Sequence, residues 1–205
     1  MIQFRHGFYA DVRTEDRSRT TITYKSGALE EMKTRVERRA FIRVYDGKMW
    51  YYSSVTDLAH LQKTLDGLYD AATPNADIQN DPVVRRFERN RDTLLSFADS
   101  SVRDIPSKDK QALLLSYLPL LSEDSCITMP RGTYLDRNSL FRFRSSLGAD
   151  ITYDYQTCGL SFACDMTEGE KKFSGHWQKG ATRFDELKGL DDEIRAAMAE
   201  QTAFM

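Results

Sequence analysis

A chain of 205 residues, 40% hydrophobic and 29% charged, reads as soluble and globular, with length for one large domain or two small ones. A formal net charge of −2 gives no electrostatic case for a nucleic-acid binder, which ordinarily shows a basic domain or stripe. No apolar run approaches the roughly 18 residues that suggest a membrane span, and the opening MIQFRHGFYADVR has no apolar signal-peptide core. Three cysteines, Cys126, Cys158 and Cys164, form no CxxC pair; reduced thiols and a cytoplasmic address are expected. Arginines gather at 35–43 and 85–91, but Glu31, Glu37, Glu88 and Asp92 sit among them, the pattern of mixed solvated faces.

In chain order, Tyr9–Arg13 and Thr20–Lys25 alternate polar with β-branched or aromatic residues, as half-buried strands do. Ser26-Gly27 is a turn signal before Leu29–Arg35. Arg39–Tyr45 and Lys48–Ser53 flank Asp46-Gly47, a pair suited to a type I′ hairpin because both central positions need positive φ. Leu58, Leu61, Leu65, Leu68 and Ala72 share one helical face, with Thr56 or Ser54 as cap and Pro74 as stop. Asp81-Pro82 predicts a helix start, carried on by Val84, Phe87, Leu94, Leu95 and Ala98. Ser107 caps a second helix through Leu118. Strand patterning then returns at Phe141–Arg144, Ile151–Gln156, Leu160–Cys164 and Glu170–His176, with Glu168-Gly169 as a turn. A last helix places Phe184, Leu187, Leu190, Ile194 and Met198 on its apolar face.

The element order repeats. Asp46-Gly47 and Glu168-Gly169 are 122 residues apart, as are Leu65 and Leu187. The expected fold class is α+β: two strand-meander-plus-helix units forming a largely antiparallel sheet with helices packed on one face. A single domain over 1–205 is expected, with a first βα unit at 1–73, a helical connector at 74–124 and a second βα unit at 125–205.

Motif chemistry is sparse. His6, His60 and His176 are isolated, and no HExxH or HExxxH helix offers two ligands one turn apart. There is no GxSxG elbow, Walker A or GxGxxG. Cys158-Gly159 has no visible base, and the carboxylates at Asp57 and Asp191-Asp192 suit helix starts, where they complement the macrodipole. Large rings crowd the strands at Trp50, Tyr51, Tyr52, Phe141, Phe143, Tyr153 and Tyr155. Most of these rings read as core, but Met49–Tyr52 is bulky on both faces of one strand, so one face is free to meet a domain, partner or peptide.

Four motifs in order resemble a known family. Tyr9-Ala10-Asp11-Val12-Arg13 resembles the YADxR opening of TldD-type proteins, and Ser26-Gly27-Ala28-Leu29-Glu30 the family's G-x-L-E turn. Ile42–Trp50 is similar to its DGxW hairpin, and Ser53–Leu58 to the segment before its first helix. The match covers roughly residues 8 to 72 and is nearer the TldD than the PmbA type. Arg39-Ala40-Phe41 and Tyr51 depart from the family's glycines.

The resemblance implies a TldD/PmbA metallopeptidase, a family often labelled modulators of DNA gyrase and linked to peptide maturation and antitoxin turnover. This chain would be the N-terminal domain, with no cofactor of its own. The zinc expected in a full-length member sits in a C-terminal domain that would begin near Gln201–Met205. Implied partners are that domain, a homodimer or TldD–PmbA-type heterodimer, and unstructured peptides; no membrane and no direct nucleic-acid contact are implied. An extended peptide pairing with an edge such as Tyr9–Arg13 or Lys48–Ser53 would need little sequence specificity. Tyr9, Asp11, Arg13, Arg43, Trp50, Tyr51 and Tyr52 are the peptide-binding or interface candidates, with no catalytic or metal residue among them. The alternative is a stand-alone interaction or scaffold module without enzymatic activity.

Overall fold

Ser26 and Gly27 both adopt left-handed backbone, φ 48° and 79°, and this two-residue link folds Tyr9–Lys25 (β1) back on Ala28–Tyr45 (β2). Such a link leaves only an antiparallel pairing. The structure is a computed structural model and describes residues 2–203. The next link differs from the expected type I′ turn. Gly47 has φ 95°, whereas Asp46 keeps negative φ and organises the loop with its side chain. Its Oδ1 accepts the amides of Lys48 and Met49, each at 2.8 Å, before Trp50–Val55 (β3) returns along β2.

The helix after β3 is capped by Asp57, whose carboxylate accepts the Ala59 amide at 3.0 Å, in place of Thr56 or Ser54. One 3-10 turn, Leu58–His60, leads into α1 (Leu61–Ala71). Further along come Arg91–Leu94 (β4), Ser107–Tyr117 (α2), Arg131–Ser145 (β5), Asp150–Glu168 (β6), Lys171–Ala181 (β7) and Asp191–Thr202 (α3). The strand order is β3-β2-β1-β5-β6-β4, with β7 also on β6. β4 runs parallel to Asp150–Tyr153 and β7 antiparallel to Cys158–Glu168. The α+β class with a large antiparallel sheet and helices packed on it is as expected.

Three expectations change. The two strands read at 9–13 and 20–25 are one, because the polar run between them is satisfied within the sheet: buried Glu15 accepts Arg39 Nε at 2.7 Å and Ser139 Oγ at 2.8 Å. The helix expected from Asp81 stops after the 3-10 turn Val84–Arg86. Asp81 does accept the Val83 amide at 2.8 Å. But Glu88–Thr93 offers no apolar residue to continue a helical stripe, and Phe87 turns extended to stack on Tyr9. The last helix starts at Asp191, since Gly189 at φ 68° breaks it from the 3-10 turn Phe184–Leu187.

The chain packs as two compact units, each assembled from distant segments. Unit 1 takes Met1–Arg17, Val36–Ser96 and Ser139–Tyr155. Its α1 lays Leu61, Leu65 and Tyr69 on Ala10, Val12, Ala40, Ile42 and Val44. Unit 2 takes Ser18–Arg35, Phe97–Asn138 and Gln156–Met205. There Leu114 and Tyr117 of α2 and Ile194 and Met198 of α3 join Ile22, Tyr134, Leu160 and Phe162 in a second core. No helix among the described residues is long and apolar enough to cross a membrane.

All three cysteines are free; Cys126 is half-buried, and Cys158 and Cys164 are buried. Burial pushes the Cys158 thiol up to about 12, helped by the nearby Asp136 and Glu186 charges. The folded state therefore holds this proton more tightly than the unfolded chain. That stabilisation is complete below the ordinary thiol pKa and is lost as pH rises toward 12. At pH 8.5 a thiol reagent should label Cys126 first and Cys158 only after denaturant is added, which mass mapping of the labelled peptides reads directly.

Candidate functional site

Alternation along β1 sends Ala10 and Val12 toward α1 and sends Tyr9, Asp11 and Arg13 to the opposite face of unit 1. Asp11 is fully buried and accepts Arg43 Nη2 at 2.6 Å, Arg43 Nε at 3.1 Å and the Tyr9 hydroxyl at 3.1 Å. The bidentate hydrogen bond to Asp11 holds Arg43 above the usual guanidinium pKa against the opposing effect of burial. Burial first, and the Asp11 charge second, push the Tyr9 hydroxyl up, so it acts here as a neutral donor.

The Arg43 guanidinium also lies 4.8 Å from the centre of the Trp50 ring, which stacks on Tyr45 at 4.7 Å. Phe87 closes this end of the face, stacked on Tyr9 at 4.4 Å. Further along, Arg13 lies over the Phe143 ring at 5.4 Å, and Phe141 stacks on Tyr153 at 4.9 Å across the β5–β6 pair. Large apolar side chains remain open to solvent here: Tyr52 is 68% exposed, Phe41 42% and Tyr153 42%. The arrangement couples a rigid, charge-paired centre to exposed rings, which suits binding an extended chain and offers no nucleophile–base pair.

Six of the seven candidate residues therefore meet on one face. Tyr51 does not. It faces Val44 across the hairpin, packs toward the α1 core, and donates its hydroxyl to Asp46 at 3.2 Å. Burial tends to raise the Asp46 pKa, but the amides of Met49, Lys48 and Thr73 and this hydroxyl outweigh it and hold the carboxyl below its usual range. β1 is flanked by β2 and β5, so Tyr9–Arg13 is not an edge; β3 is the outer strand of that part of the sheet. Glu15, Arg39, Phe41 and Phe87 belong to this face and were not among the candidates. For Glu15 the signal was available, since the i, i+2 run Tyr9-Asp11-Arg13 continues through it; for Phe87 it was not, because the segment reads as helix.

Histidines do not assemble. His6 precedes β1, His60 lies before α1 and pairs with Asp57 at 3.0 Å, and His176 is on β7. Among the described residues no group of three or more His, Cys, Asp and Glu side chains is placed to hold a metal ion.

The fold and this hairpin face define an α+β domain with a large antiparallel sheet. Residues 10–72 match the family model of PmbA/TldA metallopeptidase domain 1, which agrees over that stretch with the resemblance read from the four motifs. Solved structures agree on the fold. A protein from Thermotoga maritima described as a modulator of a DNA gyrase superposes with TM-score 0.73 at 16% identity, over 96% of this chain and 44% of its own. A second, from Bacteroides thetaiotaomicron, gives 0.72 at 16% identity, over 95% and 45%. TldE from Thermococcus kodakarensis gives 0.69 at 8% identity, over 95% and 44%. The chain thus spans under half the length of each of these proteins. No curated protein matches it by sequence.

Proposed function

We propose that this domain is the non-catalytic, peptide-receiving part of a TldD/PmbA-type metallopeptidase, working in the cytoplasm beside a zinc-bearing C-terminal domain. The whole assembly would be a homodimer or a TldD–PmbA-type heterodimer acting on unfolded peptides, in the peptide maturation or antitoxin turnover the family is linked to. The observation that carries the reading is the β3 edge. Among the described residues Trp50–Val55 pairs with β2 on one side only, and the rings of exposed Tyr52 and Phe41 stand 6.3 Å apart beside it. An extended peptide adding to this edge would be held by main-chain hydrogen bonds, with the rings covering its side chains. The match of residues 10–72 to a metallopeptidase domain supports the same reading.

The Asp46 amide donates to Met49 across the hairpin, so alternate amides of β3 face β2 and those of Tyr52 and Ser54 face outward. Ser54→Pro removes an outward donor without breaking the β2–β3 ladder. Fluorescently labelled, unstructured peptides of unrelated sequence should bind the wild-type chain with similar affinity, and Ser54→Pro should weaken all of them by about tenfold, the equivalent of one or two lost hydrogen bonds. Unchanged affinity in Ser54→Pro would remove β3 from the role. Failure of every peptide to bind, alone and with a C-terminal domain supplied, would defeat the reading.

A further inference from the structure

In unit 2, the loop before α2, the first turns of α2 and the 3-10 turn Phe184–Leu187 enclose a cavity of about 780 Å³. That lies within the roughly 300–1,000 Å³ typical of small-molecule sites. Ile105, Pro106, Ala112, Leu113 and Phe184 give it an apolar lining. One side chain sets its walls. Gln156, fully buried on β6, donates to the Ser100 carbonyl at 2.9 Å and the Thr182 carbonyl at 2.8 Å, and accepts the Val102 amide at 3.0 Å. It ties the loop to the stretch that leads into the 3-10 turn, so two sides of the cavity are fixed before any ligand arrives.

Asp99, Asp104 and Asp109 also line the cavity, and among the described residues none of the three carboxylates has an ion pair or a hydrogen-bond partner. Two cations share it. Lys188 is paired with Asp185 at 2.5 Å, and Arg183 lies over the Phe97 ring at 5.9 Å. With Lys188 and Asp185 offsetting one another, three carboxylates stand against one guanidinium, so the cavity lacks two positive charges. The Lys188 ammonium shows what the lining accepts, since it also stands 5.6 Å from the centre of the Phe184 ring. A ligand with several ammonium groups on aliphatic linkers meets both parts of this lining. Its cations reach the free carboxylates, and its methylenes cover Ile105, Pro106 and Leu113. A peptide fits less well, because its backbone amides would find no partner on the apolar lining. A bare divalent cation would leave that lining uncovered.

We propose that this cavity binds a free aliphatic polyamine of the spermidine type, a chain of ammonium groups joined by methylenes. The site does not rest on the peptide-handling reading, which uses β3 of unit 1. In calorimetric titrations of the 205-residue chain, spermidine should bind as a single molecule. Putrescine, with one ammonium fewer, should bind about tenfold more weakly. Asp104→Asn/Asp109→Asn should weaken spermidine by about tenfold. Lys188→Ala, which removes an internal competitor for Asp185 and Phe184, should tighten it by about threefold. Ala112→Phe, at an exposed position of α2, keeps every carboxylate but fills the cavity, and should abolish binding while circular dichroism shows the fold intact. An amidated trilysine peptide should bind more weakly than spermidine. No spermidine binding at millimolar concentration, its displacement by magnesium at equal ionic strength, unchanged affinity in Ala112→Phe, or tighter binding of trilysine would each overturn the proposal. Loss of peptide binding in Ser54→Pro with spermidine affinity intact would be a result about β3 alone.

Discussion

Lys110→Met is expected to destabilise unit 2 by roughly 3–5 kcal/mol, the cost of leaving a buried charge without its partner. Lys110 sits on α2 with its side chain 3% exposed, and its ammonium lies 2.6 Å from Asp136 on β5, itself 1% exposed. The pair is embedded in further polar contacts. The Thr20 amide donates to Asp136 at 3.0 Å, the Tyr134 hydroxyl donates to it at 2.9 Å, and Lys110 donates to Thr20 Oγ1 at 3.3 Å. Removing the lysine strands a carboxylate that water cannot reach. Removing both charges is different, because an apolar pair of similar volume loses the attraction and the desolvation cost together. Lys110→Met/Asp136→Leu should therefore recover most of the loss, leaving the Thr20 amide and Tyr134 hydroxyl as the residual penalty. Urea melts of the two singles and the double give the coupling. A single substitution costing under about 1 kcal/mol, the range of solvated surface pairs, would mean that the network is hydrated.

Phe162→Ala tests the same unit through packing alone. Phe162 is fully buried on β6, stacked on Trp177 of β7 at 5.6 Å and edge-on to Tyr117 of α2 at 6.3 Å. Truncating it removes a ring and leaves a cavity between sheet and helix, with an expected loss of about 3–5 kcal/mol. Phe162→Leu should cost markedly less because most of the volume is kept. Tryptophan fluorescence from Trp177 would report the change at the site, while Trp50 in unit 1 supplies an internal reference. If the two variants lose the same stability, shape at this position is unimportant and the core rearranges around it.

Much of the candidate face was legible in the sequence because strand alternation is a local property. Tyr9, Asp11 and Arg13 share a side by parity, and Arg43 joins them once the hairpin register pairs Arg43 with Tyr52. Parity also excludes Tyr51, which could have been read from its position between Trp50 and Tyr52. What alternation could not supply was the partner across strands. Asp11 bonding to Arg43 crosses 32 residues and Glu15 bonding to Ser139 crosses 124. The position of β1 inside the sheet, which removes Tyr9–Arg13 as an edge, depends on the β1–β5 pairing and has no local signature.

By itself the sequence determined the α+β class, the hairpin around Asp46-Gly47, helices α1 and α2, and the TldD/PmbA resemblance of the first 72 residues. These follow from periodicity, turn chemistry and short motifs, which act over a few residues. Only the tertiary structure decided the rest. Thr14–Arg19 continues β1 because Arg39 and Ser139 satisfy its buried Glu15. Val84–Leu94 abandons the helix because Phe87 gains more by stacking on Tyr9, and β6 offers Arg91–Leu94 a ladder. Among the described residues Ala28–Arg35 pairs with β1 alone, because β3 reaches only Ala40–Tyr45. In each case the deciding interaction lies far along the chain, where local preference carries no information.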